Sequence, residues 1–274
     1  MIFLDGSSIA LSGFSTLMTR LVKKHLTSIA LAALTGVSMA APLTTGWTSV
    51  GGAGSSSTAD GNISLAPGDR AFVYVTTTGG INGVGRLSSV DNSSATDGST
   101  VTSDAFTAKA GDILSFYLNY ITSDGAGFAD YAWAQLVALG GSETLLFTAR
   151  TTPGGNTVPG FGMPAPSVSL DPASVSIFSG TAFSGLAGDS GRCYSSGCGH
   201  TGWVKAEFTV ATAGSYSLRA GVTNWTDTAF DSALAIADVR IGGISIDPGV
   251  VPEPGALALA GLALLGAGLR RRRT

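Results

Sequence analysis

An antiparallel β-sandwich, jelly-roll-like in kind, is the fold class this chain predicts for its body, and three observations predict it. Six runs alternate apolar and polar residues, the period of a strand with one buried face. Gly, Pro and Asp punctuate the intervals between them at a spacing that suits sandwiches. The body is rich in Gly, Ser and Thr and poor in Lys, Glu and Gln, the reverse of a helical mixture.

The N-terminus reads differently from the body. Arg20, Lys23 and Lys24 form a basic segment, residues 28–39 are mostly apolar, and Ser38-Met39-Ala40 offers the small residues a signal peptidase needs. Residues 1–40 are read as a signal region with a helical core, and Met18 as the expected true start. Signal peptidase and the secretion machinery are then the first partners.

Residues 41–250 form the body. Its predicted strands are 71–78 (AFVYVTTT), 112–121 (DILSFYLNYI), 131–139 (YAWAQLVAL), 203–210 (WVKAEFTV), 216–223 (YSLRAGVT) and 234–241 (LAIADVRI). Pro67-Gly68-Asp69, Ala110-Gly111-Asp112 and Ala213-Gly214-Ser215 are turn signals between them. The Gly/Pro-rich stretch 153–166 predicts a long loop or linker, so one two-lobed sandwich and two small domains both fit.

The formal charge of −3 for the whole chain conceals an acidic body, because the targeting segments are basic; residues 41–250 carry sixteen acids, fourteen of them Asp, against eight bases, near −8. Such a surface repels nucleic acid and anionic lipid and suits divalent cations. Nucleic acid is therefore excluded as a partner.

Residues 116–133 and 218–236 share a plan: a strand, a polar loop holding two Asp, and a second strand. Calcium takes about six to eight oxygen ligands, and Asp124, Asp130, Asn224, Asp227 and Asp231 would supply several of them if the two corners are neighbours. Capping of turns by the same Asp side chains is the other reading. Calcium is the one candidate cofactor, and none is assigned. Of the four tryptophans, Trp133 and Trp203 sit inside alternating strands and read as core, Trp47 is unassigned, and Trp225 in a polar loop is the candidate glycan contact.

Cys193 and Cys198 are the only cysteines. In an exported chain they most simply close a small disulfide loop, whereas zinc with His200 would lack a fourth ligand. Gly188-Asp189-Ser190-Gly191 copies the surroundings of a chymotrypsin-like nucleophile, but the one histidine before Ser190 is His25, inside the signal region. Glu143 and Glu207 are the body's glutamates, and either, with one of the many aspartates, could supply paired catalytic carboxyls; Glu207 reads as a surface charge on its strand. No catalytic residue is assigned, and a non-enzymatic protein is expected.

The tail has three parts: Pro252-Glu253-Pro254, an apolar run of Gly, Ala and Leu from Gly255 to Leu269, and Arg270, Arg271, Arg272 and Arg273. As a helix the run spans about 22 Å at 1.5 Å per residue, a short transmembrane helix, and the arginines would hold its end in the cytoplasm. Residues 251–274 resemble the PEP-CTERM sorting tail of Gram-negative exopolysaccharide producers. The resemblance implies recognition of Pro252, Glu253 and Pro254 by an exosortase, a membrane cysteine protease. The chain would rest transiently in the inner membrane and then pass to the cell surface or extracellular matrix. The two Asp-bearing corners are similar to an arrangement in PEP-CTERM passenger domains and in carbohydrate-binding-module-like sandwiches, which implies compact loops and a structural ion. The functional expectation is a structural or glycan- or cation-binding protein in an exopolysaccharide context; the alternative is a secreted hydrolase acting on exopolysaccharide.

Overall fold

A computed structural model describes residues 43–152 and 154–246. The signal region, the Pro252-Glu253-Pro254 motif, the apolar run after it and the four arginines lie outside the described residues. Among the described residues no helix is long and apolar enough to cross a membrane.

The described chain is a sandwich of two antiparallel sheets. In chain order its strands are β1 (Trp47–Val50), β2 (Gly52–Ser56), β3 (Phe72–Thr76), β4 (Ile81–Asn82), β5 (Ala95–Ser103), β6 (Phe106–Ala108), β7 (Ile113–Thr122) and β8 (Tyr131–Ala138). There follow β9 (Glu143–Arg150), β10 (Ser169–Asp171), β11 (Gly199–His200), β12 (Val204–Thr209), β13 (Gly214–Trp225), β14 (Ser232–Ile241) and β15 (Ile244–Ser245). One sheet runs β1-β5-β13-β8-β9, with β4 on β5 and β6 on β13; the other runs β10-β12-β7-β14-β3-β2, with β11 on β7 and β15 on β14. Each sheet takes strands from both sides of the 154–166 segment. The six predicted runs are β3, β7, β8, β12, β13 and β14, within two residues at each end.

Alternation explains the inner faces. Leu114, Phe116, Leu118 and Tyr120 of β7 and Leu234 and Ile236 of β14 point inward from one sheet. Ala132, Ala134 and Leu136 of β8 and Leu218, Ala220 and Val222 of β13 meet them from the other. Leu118 pairs directly with Ile236. Burying each Leu, Ile, Val or Phe among them contributes about 1.5–3 kcal/mol.

Both outer faces are also partly covered. Phe72, Tyr74, Ala233, Ala235 and Ala237 pack under Phe183 and Leu186, which is why β14 is apolar on both sides. On the other sheet Tyr131 and Trp133 lie beneath Leu87, and the Trp133 indole donates to the Gly85 carbonyl at 2.6 Å. Small residues make that approach possible: a Cβ on Gly221, the cross-strand partner of Trp133, would meet the indole at 2.6 Å.

Two connections matter for function. The chain leaves β7 in one sheet and enters β8 in the other; it then leaves β13 beside β8 and enters β14 beside β7. Thr223 pairs with Tyr131, and Ser232 pairs with Thr122. The two Asp-bearing corners are therefore neighbours at one end of the sandwich.

Candidate functional site

The site is built on this double crossing. In the first corner Asp124 follows β7, a single 3-10 turn covers Ala126–Phe128, and Asp130 directly precedes β8. In the second, Thr226 and Phe230 hold φ values of 80° and 60°, a backbone that L residues other than Asn and Asp rarely adopt. Tertiary bonds hold this corner in place. The Asp231 carboxylate accepts the Thr77 and Thr78 hydroxyls at 2.8 and 2.7 Å, and its carbonyl accepts Ser123 N–H and Oγ–H.

Asp130 joins the corners. It is fully buried; Oδ1 accepts Trp225 N–H at 2.8 Å and Oδ2 meets the Ser232 hydroxyl at 2.6 Å. Burial drives its pKa well above the usual carboxylate range, against the hydrogen bonds from Ser232 and Trp225, while the charges of Asp124 and Asp227 push it further up. Both oxygens are thus occupied by the protein, and Asp130 is a cross-brace between the loops.

Asp124 and Asn224 differ from it. Asp124 is 2% exposed, and its Oδ1 accepts Gly125 N–H at 2.6 Å, while Oδ2 is buried without a hydrogen-bond partner. Asn224 is 1% exposed; its Nδ2 donates to Asp97 Oδ1 at 3.0 Å, and its Oδ1 is likewise buried without a partner. Burial pushes the Asp124 carboxyl up to about 7 against the Gly125 bond, and the charges of Asp227 and Asp189 act in the same upward direction. Asp227 uses Oδ1 to accept Ala229 N–H at 3.0 Å, an Asx turn. Asp231 is raised by burial, opposed by the Thr78 and Thr77 hydroxyls, with Asp189 and Asp97 adding to the rise. Among the described residues no three His, Cys, Asp or Glu side chains converge as a metal cluster. The five predicted ligands share one corner pair but divide into two braces, Asp130 and Asp231, one turn cap, Asp227, and two side chains with unused oxygens, Asp124 and Asn224.

The disulfide loop closes over the first corner. Cys193 and Cys198 are bonded, with Cα atoms 5.8 Å apart. Within the loop Tyr194 N–H donates to the Ser123 carbonyl, and the Ser196 carbonyl accepts Ala126 N–H, both at 2.9 Å. Gly125 is small because Ser195 lies against it. Tyr194 packs between Phe128 and Phe230, and Arg192 covers the Phe230 ring at 4.8 Å.

Sequence reasoning missed this lid, together with Asp97, Asp189, Thr77 and Thr78. The Gly-Asp-Ser-Gly stretch held part of the signal. Its Asp189 bonds Arg192 and accepts Asp231 N–H, and its Ser190 Oγ accepts Phe183 N–H, so both are structural links here.

Trp225 is partly buried. Arg150 lies 4.4 Å from its ring centre, and Tyr131 meets it edge-on. Trp47 and Trp133 are buried, and Trp203 packs against Phe72. Glu143 and Glu207 stand on opposite sheets, ion-paired to Arg219 and Lys205 respectively. A groove of about 450 Å³ at the sandwich edge is lined by Leu136, Leu139, Phe208, Val210 and Tyr216, with no carboxylate among its lining residues.

No curated protein matches the chain. Among solved structures, the K1 cleaved adhesin domain of Lys-gingipain from Porphyromonas gingivalis W83 is similar at 11% identity and a TM-score of 0.32, over 72% of this chain and 92% of that one. An exo-beta-agarase is similar at 8% identity and a TM-score of 0.28, over 76% of this chain and 24% of that one. Likenesses this distant carry no argument about ligand or activity. The family model for the PEP-CTERM protein-sorting motif matches residues 250–273. The chain is thus an exported protein that carries a PEP-CTERM sorting signal read by an exosortase.

Proposed function

We propose that this protein is delivered to the cell surface or extracellular matrix, and that its sandwich serves there as a non-enzymatic structural or ligand-binding element in an exopolysaccharide context. The sorting motif at residues 250–273 carries the reading, since it follows a body cross-linked by a disulfide of the kind oxidising compartments favour. The position of the glutamates supports the non-enzymatic part. Glu143 and Glu207 lie on opposite sheets in separate ion pairs, so the two glutamates do not together form the carboxyl pair that glycoside hydrolysis uses. Trp225, partly exposed beside Arg150, is the candidate glycan contact, because an aromatic face packs on the apolar face of a sugar ring.

The test is fractionation of the host followed by binding of the purified protein to its own exopolysaccharide. Recovery in the surface or matrix fraction, with polysaccharide binding that falls in Trp225→Ala and no release of reducing ends, supports the proposal. Release of reducing ends that disappears in Glu143→Gln or Glu207→Gln would establish the hydrolase instead.

A further inference from the structure

The Asn224 amide can be oriented without ambiguity. A carboxylate only accepts, so the amide group facing Asp97 Oδ1 must be the NH₂, and Asn224 Oδ1 must point the other way. It points there without a donor, and Asp124 Oδ2 is without one as well. Leaving a buried acceptor unsatisfied costs about 1–3 kcal/mol, and more for a charged group.

Several links place the two side chains in the same pair of corners. Asp130 accepts the N–H of Trp225, the residue after Asn224, and Asp130 also feels the charge of Asp124. Asp227, three residues beyond Asn224, acts on Asp124 and on Asp130. Asp189, on the segment that leads into the disulfide loop, acts on Asp124 too. The nearby cations have other partners: Arg192 bonds Asp189 and covers Phe230, Arg150 bonds the Ala129 carbonyl and covers Trp225, and Arg86 bonds the carbonyls of Ala95 and Thr96.

We propose that the paired corners hold one hard divalent cation of the calcium class, with Asp124 Oδ2 and Asn224 Oδ1 as its protein side-chain ligands, Asp227 adding negative charge, and water completing the shell. The chemistry fits, because a carboxylate and an amide carbonyl are the oxygen donors that calcium takes in flexible sites rich in water. The cation would lock the two inter-sheet corners to each other under the disulfide loop. This inference goes beyond the surface-protein reading and does not depend on where the protein is finally located.

The test uses the exported protein, stripped with a chelator, with calcium alone as the probe. Isothermal titration should show one site with a dissociation constant of about 0.1–1 mM, the range of extracellular modules, and the melting temperature should rise with calcium and fall back with chelator. Asp124→Asn should raise that constant at least ~10-fold. Its calcium-free melting temperature should equal or exceed that of the parent, since a buried unpaired charge is removed. Asp227→Asn, in a partly exposed turn, should weaken binding several-fold and provides the test if Asp124→Asn does not fold. A parent protein indifferent to calcium and chelator overturns the proposal, as does parental affinity in Asp124→Asn or, if that variant does not fold, parental affinity in Asp227→Asn.

Discussion

Asp130 accepts the backbone N–H of Trp225 at 2.8 Å, so the loop that takes the chain from β7 to β8 is bonded to the loop that takes it from β13 to β14. The bond ties two residues 95 positions apart. It also makes the end of the sandwich one structural unit.

Removing that brace should be expensive. Asp130→Ala leaves the Trp225 N–H and the Ser232 hydroxyl without this acceptor in a buried site, at about 1–3 kcal/mol each. Asp130→Asn keeps an acceptor and removes a buried charge, so it should lose much less. Urea unfolding midpoints of the two variants should fall in that order, with alanine the weaker; equal midpoints would show that the brace is dispensable.

The disulfide should matter although its loop is short. Chain-entropy reasoning gives about 2 kcal/mol for closing a loop of this size. The Cys193→Ser, Cys198→Ser variant should lose at least that much, because Tyr194 and Ser196 also hold the first corner. A melt of the parent protein with and without reductant provides the check, and the double variant should be insensitive to reductant.

Gly221 is a packing requirement. A methyl group there would meet the Trp133 indole at 2.6 Å, and the Gly85 carbonyl holds that indole in place. Gly221→Ala should destabilise by about 1–3 kcal/mol, as overpacking does. Adding Trp133→Leu to it should recover part of the loss in a double-mutant comparison.

Alkaline pH should unfold the sandwich earlier than surface chemistry alone would. Burial, with the charge of Asp60, pushes Tyr74 from 10.0 up to about 12, and burial with the charge of Asp130 raises Tyr120 still more. For a phenol with a raised folded value, the neutral form is the one the fold favours. This contribution is complete below about 10 and is lost as pH climbs through and beyond 12. Melting temperature should hold steady from pH 8 to 9.5 and drop above it, and Tyr74→Phe should flatten part of the drop.

How legible the molecule was depends on the range of the interactions. The six strands that sequence alternation predicts have one apolar face against the opposite sheet, so local pattern carries them. β5, ATDGSTVTS, escapes because its neighbours are polar β-branched and small residues whose burial comes from β1 and β13 on either side. In the corners, the Asp-rich plan was visible and the adjacency of the loops was conditional; the β7–β14 and β8–β13 pairings supply it. The separate tasks of Asp130 and Asp124 could not be read locally, because one carboxylate meets donors more than ninety residues away and the other does not. The lid formed by Tyr194 and Ser196 is also remote in sequence from Ser123 and Ala126.

The most direct test of the central claim is the intact mass of the protein recovered from membrane and medium, in hosts with and without the exosortase. The account predicts loss of residues from the region of Pro252-Glu253-Pro254 onward, including the apolar run and Arg270 to Arg273, only when the enzyme is present. A tail retained in both hosts would contradict it and leave a protein anchored in the inner membrane.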